Sequence, residues 1–254
     1  MFNALLARLK QKHRTFPFPG KTPALPDRFC GLPLLKNNAP AEACRAAISA
    51  CPVAALTYTD NALALDMGRC LFCGTCEKRS NGEAVEFTRG FSLAARRRED
   101  LVLRPGQDFK PMGPLDEPRL RLFERSLRLR QVSAGGCNAC ELDTNGLNTL
   151  VFDLPRFGIQ FVASPRHADG LLITGPVTRN MTLALQKTWE AVPGPKIVIA
   201  VGACAISGGL YREHAETNNG ADPLLPVDLY IPGCPPHPWT ILDGLLRLIG
   251  HHSA

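Results

Sequence analysis

Eight of the ten cysteines in this 254-residue chain sort by spacing into two sets of four. Cys51, Cys70, Cys73 and Cys76 form the first set, and Cys137, Cys140, Cys204 and Cys234 the second. Cys30 and Cys44 are left over. Four thiolates gathered at one place make a soft site that suits an iron–sulfur cluster or zinc. Two such sites in one small chain point to a short electron wire. Zinc expects two C-x2-C pairs of similar spacing. The second set has one such pair and two single cysteines, which disfavours zinc and leaves a zinc-stabilised structural module as the rival from another class.

The first set follows a known spacing rule. Bacterial two-cluster ferredoxins carry two copies of C-x2-C-x2-C-x3-C-P, and the fourth cysteine of each copy serves the other copy's cluster. Cys51-Pro52 closes copy one, whose earlier slots hold Ala41, Cys44 and Ala47. Copy two runs Cys70, Cys73, Cys76 and then Ser80. Under the crossing rule one cluster keeps all four ligands, Cys51, Cys70, Cys73 and Cys76. The other keeps Cys44 alone. The losses empty one site and spare the other, so the spacing predicts one [4Fe–4S] cluster here, a vacant second site, and Cys30 and Cys44 as buried thiols.

The elements that must position these thiols are legible from pattern. Phe2, Leu5, Leu6 and Leu9 share one face of a short helix, with basic residues opposite. Such a helix suits a membrane surface, a partner, or its own domain. A Pro/Gly-rich connector follows, from Phe16 to Pro26. A second linker, 105–126, is rich in proline and glycine over residues 105–118. Beyond it, short apolar runs at 127–132, 159–163, 171–174, 196–201 and 227–231 read as strands. Helical patterns fall at 142–151, 181–192 and 239–249. Strands alternating with helices argue for a parallel, doubly wound sheet. The expected architecture is α/β. A ferredoxin-like α+β domain (1–104, with the amphipathic helix at its start) precedes a flavodoxin-like doubly wound domain (127–254). Each thiol of the second set falls after a strand, on loops at the carboxyl edge where open α/β sheets bind ligands. The glycines beside Cys137, Cys204 and Cys234 free backbone N–H groups for cluster sulfur.

Other residues carry less. Net charge is +6, concentrated at Arg96, Arg97 and Arg98 and at Arg119, Arg121, Arg125, Arg128 and Arg130. Base-stacking aromatics are not interleaved with them, so no nucleic-acid partner is expected. A solvated face, or docking to an acidic subunit, is the default. Glu141 and Asp143 read as acids in a helix first turn, with proton relay as the sharper reading. His167 and Asp169 order an interface or cap a segment. His214, His237, His251 and His252 are scattered, no Ser–His–Asp arrangement is seen, and Gly208-Gly209 lacks a dinucleotide-binding context. No run spans a bilayer and the start lacks signal-peptide character. The expected location is cytoplasmic, peripheral on the inner membrane.

The stretch 132–142, with Ser164-Pro165-Arg166-His167-Ala168-Asp169, Gly202-Ala203-Cys204 and the run from Val227 to Pro236, resembles the small subunit of energy-converting (group 4) [NiFe]-hydrogenases. That family is related to the 20 kDa, cluster-N2 subunit of respiratory complex I. The resemblance covers about residues 125–250. Cys137-x2-Cys140 is the hydrogenase-type spacing, whereas respiratory complex I uses adjacent cysteines. The front half is similar to the polyferredoxin subunit of complexes such as formate hydrogenlyase, most closely at Gly68–Glu77, but with one cluster lost. The resemblance implies two [4Fe–4S] clusters in all, and an electron-transfer subunit of a membrane-associated [NiFe]-hydrogenase-type oxidoreductase. It implies a large subunit carrying the nickel–iron site, with further iron–sulfur and membrane subunits alongside. No complete active site is expected in this chain alone. The rival within the same class is a quinone-reducing, complex-I-like subunit.

Overall fold

The computed structural model describes residues 2–12, 14–59 and 62–251; His252 lies outside them. The first helix, α1 (Phe2–Gln11), forms as the pattern predicts. Its Leu5, Leu6 and Leu9 are exposed to solvent, and the side chain of Phe2 is outside the described set.

The front half is built from short pieces. These are β1 (Pro33–Leu35), α2 (Ala41–Ser49), β2 (Leu56–Thr59), β3 (Ala62–Asp66), α3 (Thr75–Arg79), β4 (Val85–Phe87) and β5 (Val102–Leu103). β1 pairs antiparallel with β4, and β2, β3 and β5 form a second antiparallel sheet. Ala43, Cys44 and Ala47 of α2 pack with Leu56, Leu63 and Leu65 of the sheet. Small side chains on one helix face let it lie close on a strand pair.

The back half comprises α4 (Glu117–Phe123), β6 (Leu127–Ser133), α5 (Ala139–Gly146), β7 (Ile159–Phe161), β8 (Gly170–Thr174), α6 (Arg179–Ala191), β9 (Ile197–Val201), α7 (Ala203–Ser207), β10 (Leu229–Ile231) and α8 (Pro238–Leu248). Its five strands are all parallel, in the order β7-β6-β8-β9-β10. Counted within the sheet, that is 2-1-3-4-5, one of the two common doubly wound orders. β8, β9 and β10 are buried along their whole length, as strands covered on both faces must be. Leu129, Leu172 and Ile199 pack under Ile241, Leu242 and Leu245 of α8. Leu171, Ile173 and Val198 pack with Leu185 of α6 in a separate cluster. The order reverses between β6 and β8, which opens a crevice at their carboxyl ends.

Several sequence expectations are corrected. The 105–126 segment, expected as a linker, holds α4 and buries Met112, Leu115 and Phe123 in the main core. The helix expected over 142–151 begins at Ala139, because Asn138 takes a left-handed conformation (φ 71°) that starts it early. The strand expected from Val227 begins at Leu229, because the Asp228 carboxylate takes the Val198 N–H at 3.0 Å. The arginine runs are not simply solvated. Arg96 donates to the carbonyls of Asp228 and Pro114, Arg98 pairs with Asp66, and Arg119 pairs with Asp228.

The halves share contacts. Ala95 and Tyr230 exchange backbone hydrogen bonds at 3.0 and 2.9 Å, extending the parallel sheet's edge. Phe16, Phe18 and Phe152 surround Trp239 of α8, with ring centroids 5.0, 5.2 and 4.5 Å away.

Candidate cluster sites

The front site is a small cavity lined by Cys51, Cys70, Cys73 and Cys76 together with Val53, Leu56, Leu65 and Phe87. Cys51 follows the end of α2, Cys70 and Cys73 lie on the loop after β3, and Cys76 sits in the first turn of α3. Backbone N–H groups point at sulfur: Ala55 donates to Cys51 Sγ at 3.2 Å and Phe72 to Cys70 Sγ at 3.3 Å. Ala54 and Phe72 are in the left-handed region (φ 48° and 53°), an uncommon conformation for residues with side chains. Such strain clusters where a site demands it. Burial raises the Cys70 thiol pKa, with the neighbouring Cys76, Cys51 and Cys73 adding to the rise. Burial likewise pushes Cys76 up to about 11. Free thiols at Cys70 and Cys76 would therefore stay protonated at neutral pH, and a metal must displace those protons on binding.

Of the four slots of the ferredoxin pattern's second cluster, Ala41 is exposed and the other three are buried. Cys44 and Ala47 are buried in α2, and Ser80 is buried at the end of α3. The Cys44 thiol reaches toward the Ala39 carbonyl at 4.0 Å, and the Ser80 hydroxyl donates to the Glu77 carbonyl at 3.4 Å. Cys30 is half-buried rather than buried. Its thiol is raised by burial and by the charges of Glu77 and Cys73, which places it beside the front site.

The back site lies at the carboxyl edge of the parallel sheet. Cys137 follows β6 and Cys234 follows β10, both on loops. Cys140 and Cys204 lie inside the first turns of α5 and α7, not on loops as the pattern suggested. A helix start favours a thiolate through its unpaired N–H groups. The β9 and β10 loops are tied together: Gly202 N–H donates to Ile231 and Ala203 N–H to Gly233, each at 2.8 Å. Two glycines make room for sulfur. A Cβ at Gly202 (φ 89°) would stand 2.5 Å from Cys140 Sγ, and one at Gly209 (φ 53°) 2.8 Å from Cys204 Sγ. Burial raises the Cys140 pKa, with Cys204, Glu141, Cys234 and Cys137 contributing in that order. Burial pushes Cys204 up to about 11, helped by Cys234 and Cys137 and opposed by the Leu210 N–H. The four thiols therefore lie within electrostatic reach of one another.

Glu141 is buried, and its Oε1 accepts from Ser133 Oγ at 2.6 Å and Thr174 Oγ1 at 2.7 Å. It ties α5 to β6 and β8, across the crevice. Spacing alone could not reveal this role; Ser133 and Thr174 are ordinary strand-end hydroxyls in the sequence. Asp143 is half-buried, and burial raises its pKa. Asp169 braces the sheet: its Oδ2 accepts from the Arg128 N–H at 2.7 Å, and its carbonyl accepts from Ile197. His167 is exposed. His237 caps α8, its Nδ1 accepting from the Trp239 N–H at 3.1 Å.

Comparison with known proteins follows this geometry. The profile of the family described as NADH ubiquinone oxidoreductase, 20 Kd subunit, matches residues 137–248. The chain is 45% identical over 131 residues to formate hydrogenlyase subunit 7 of Escherichia coli, covering 52% of this chain and 51% of that protein. It is 44% identical over 126 residues to the probable membrane-bound hydrogenase subunit mbhJ of Pyrococcus furiosus, covering 50% of this chain and 75% of that one. It is 42% identical over 113 residues to an NADH-quinone oxidoreductase subunit of Desulfovibrio desulfuricans, covering 44% of this chain and 61% of that one. It thus spans about half the length of the formate hydrogenlyase subunit.

Proposed function

Because this chain belongs to the family of the 20 kDa subunit of NADH–ubiquinone oxidoreductase, we propose that it is an electron-relay subunit of a hydrogenase-type oxidoreductase complex. It would hold one [4Fe–4S] cluster at Cys51, Cys70, Cys73 and Cys76, and a second at Cys137, Cys140, Cys204 and Cys234. The observation that carries this reading is that the front thiols line one cavity and the back thiols fall together at the carboxyl edge of the parallel sheet. Cys140 and Cys204 lie against glycines where a Cβ would collide with sulfur. Bound there, such clusters supply reversible one-electron chemistry at potentials set by burial and hydrogen bonds.

The chain's own residues set those conditions. Apolar neighbours exclude water at the front site, and the N–H groups of Ala55 and Phe72 would stabilise the charge on its thiolates. The charge of Glu141 sits beside Cys140 and Cys204 and would lower the back potential, since a negative neighbour disfavours adding an electron. Among the described residues no group of three His, Cys, Asp or Glu side chains is arranged to hold a metal ion. A mononuclear zinc site needs every ligand within about 2.3 Å of one centre. A cubane spreads its four thiolates over four irons. The second set, one C-x2-C pair with two single cysteines on other elements, favours a cluster over zinc.

The division into a ferredoxin-like front unit (1–104), a linker (105–126) and a small-subunit-like back unit (127–254) is part of this proposal. So are the partners: a large subunit carrying the active metal, with further iron–sulfur and membrane subunits. No described helix is long and apolar enough to cross a membrane, and peripheral attachment at the cytoplasmic face of the inner membrane through those partners fits. The quinone-reducing alternative is favoured by the likeness to the NADH-quinone oxidoreductase subunit of Desulfovibrio desulfuricans. The Cys137-x2-Cys140 spacing favours the hydrogenase type. Visible absorption of anaerobically purified chain tests the relay. A brown protein that bleaches on reduction is expected, and a colourless one overturns the reading. Nickel in the co-purified large subunit separates hydrogenase from quinone reductase.

A further inference from the structure

The two thiol sets are joined by a buried contact outside either site. Ser207 ends α7, three residues after Cys204, and its hydroxyl donates to the Gly68 carbonyl at 2.9 Å, two residues before Cys70. The Gly68 N–H donates to Asp66 Oδ1 at 2.9 Å, and Arg98 forks onto both Asp66 oxygens at 2.8 and 2.6 Å. Position 68 leaves no room for a side chain: a Cβ would stand 2.8 Å from Ile206 Cγ2 and 2.7 Å from Arg98 Cζ. A second contact joins the same regions. The rings of Phe29 and His237 meet edge to face at 5.5 Å, and Cys30 Sγ lies 3.3 Å from where a Cβ at Gly74 would stand. Gly74 follows Cys73 of the front set. Two independent contacts of this kind leave the sites little freedom to separate.

We propose that Ser207 and Gly68 lock the two sites edge to edge, so that the bound clusters form one spin-coupled pair. This rests on the two-cluster reading above. Ser207 is then a positioning residue that sets the gap between the sites. Exchange across it makes and breaks no bond: one site loses an electron and the other gains it. Dithionite, a low-potential one-electron reductant, supplies one electron to each cluster in the test, so that both carry an unpaired spin.

The test uses the full chain, loaded anaerobically with about eight irons, reduced with dithionite, and examined by electron paramagnetic resonance at two microwave frequencies. Splittings that stay constant in field units are expected, as spin–spin interaction requires. They should vanish in Cys76→Ala, which keeps the back cluster alone. Ser207→Ala and the wedge Gly68→Val should narrow them at unchanged iron content, the wedge more. Wild-type spectra at eight irons whose every feature scales with frequency would overturn the pairing. Unchanged splitting in both clamp variants would overturn the role of Ser207. About four irons with a single-site spectrum would instead overturn the two-cluster reading, and the pair with it.

Discussion

At Gly202 a single methyl group would meet Cys140 Sγ at 2.5 Å, on a backbone whose φ of 89° already disfavours a side chain. Neither conflict touches the front thiols. Gly202→Ala should therefore cost the back cluster and leave the front one, roughly halving the iron per chain; an unchanged iron count in the folded variant would contradict this. His237 makes a second residue-scale prediction. Burial lowers its pKa, and its cap on α8 requires an unprotonated Nδ1. The unfolded chain thus binds this proton more readily than the folded one. Stability should be full above the unfolded value near 6.5 and fall as pH drops below it, levelling once the folded imidazole protonates. His237→Asn keeps a capping acceptor and should remove that part of the slope. Urea unfolding across pH 5–8 compares the two (the window where an ordinary histidine titrates), and identical slopes would rule the cap out as a pH sensor.

Among the elements, the parallel sheet was legible because strands buried on both faces read as unbroken apolar runs. The runs at 171–174 and 196–201 anticipate β8 and β9 to within a residue. The edges were less legible because side chains compete there. Asp228 takes a ladder N–H from Val198 and shortens β10, and left-handed Asn138 moves the start of α5. Pro and Gly over 105–118 suggested a bare connector, yet Leu115 and Phe123 beside them are buried. Cys70, Cys73 and Cys76 could be grouped by local spacing, whereas Cys204 and Cys234 could be grouped with Cys137 and Cys140 only through the order of the strands they follow. Glu141 bound by Ser133 and Thr174, and Ser207 bound to Gly68, were not legible, because each partner lies on a different element. The arginines misled for the same reason: Arg96, Arg98 and Arg119 find their acceptors 132, 32 and 109 positions away.

Across the whole molecule, the segment ahead of the front sites is fastened to the back half by aromatic packing. Phe16, Phe18 and Phe152 close on Trp239, which is 6% exposed. Trp239→Ala should cost about 3–5 kcal/mol, the usual range for emptying so large a buried site. It should also expose the 14–26 segment to proteolysis, and a loss below about 1 kcal/mol, the size of an ordinary surface change, would show that the packing is incidental. The same fastening, with the Ala95–Tyr230 pairing, would let one chain hold the two proposed cluster sites in fixed relation. Counting iron, acid-labile sulfide and zinc in anaerobically purified chain, wild type beside Cys73→Ser, probes this arrangement at its root. About eight irons and eight sulfides are expected in the wild type, and about four of each in the variant. Zinc without sulfide, or loss of both clusters from the one substitution, would contradict two separate cluster sites.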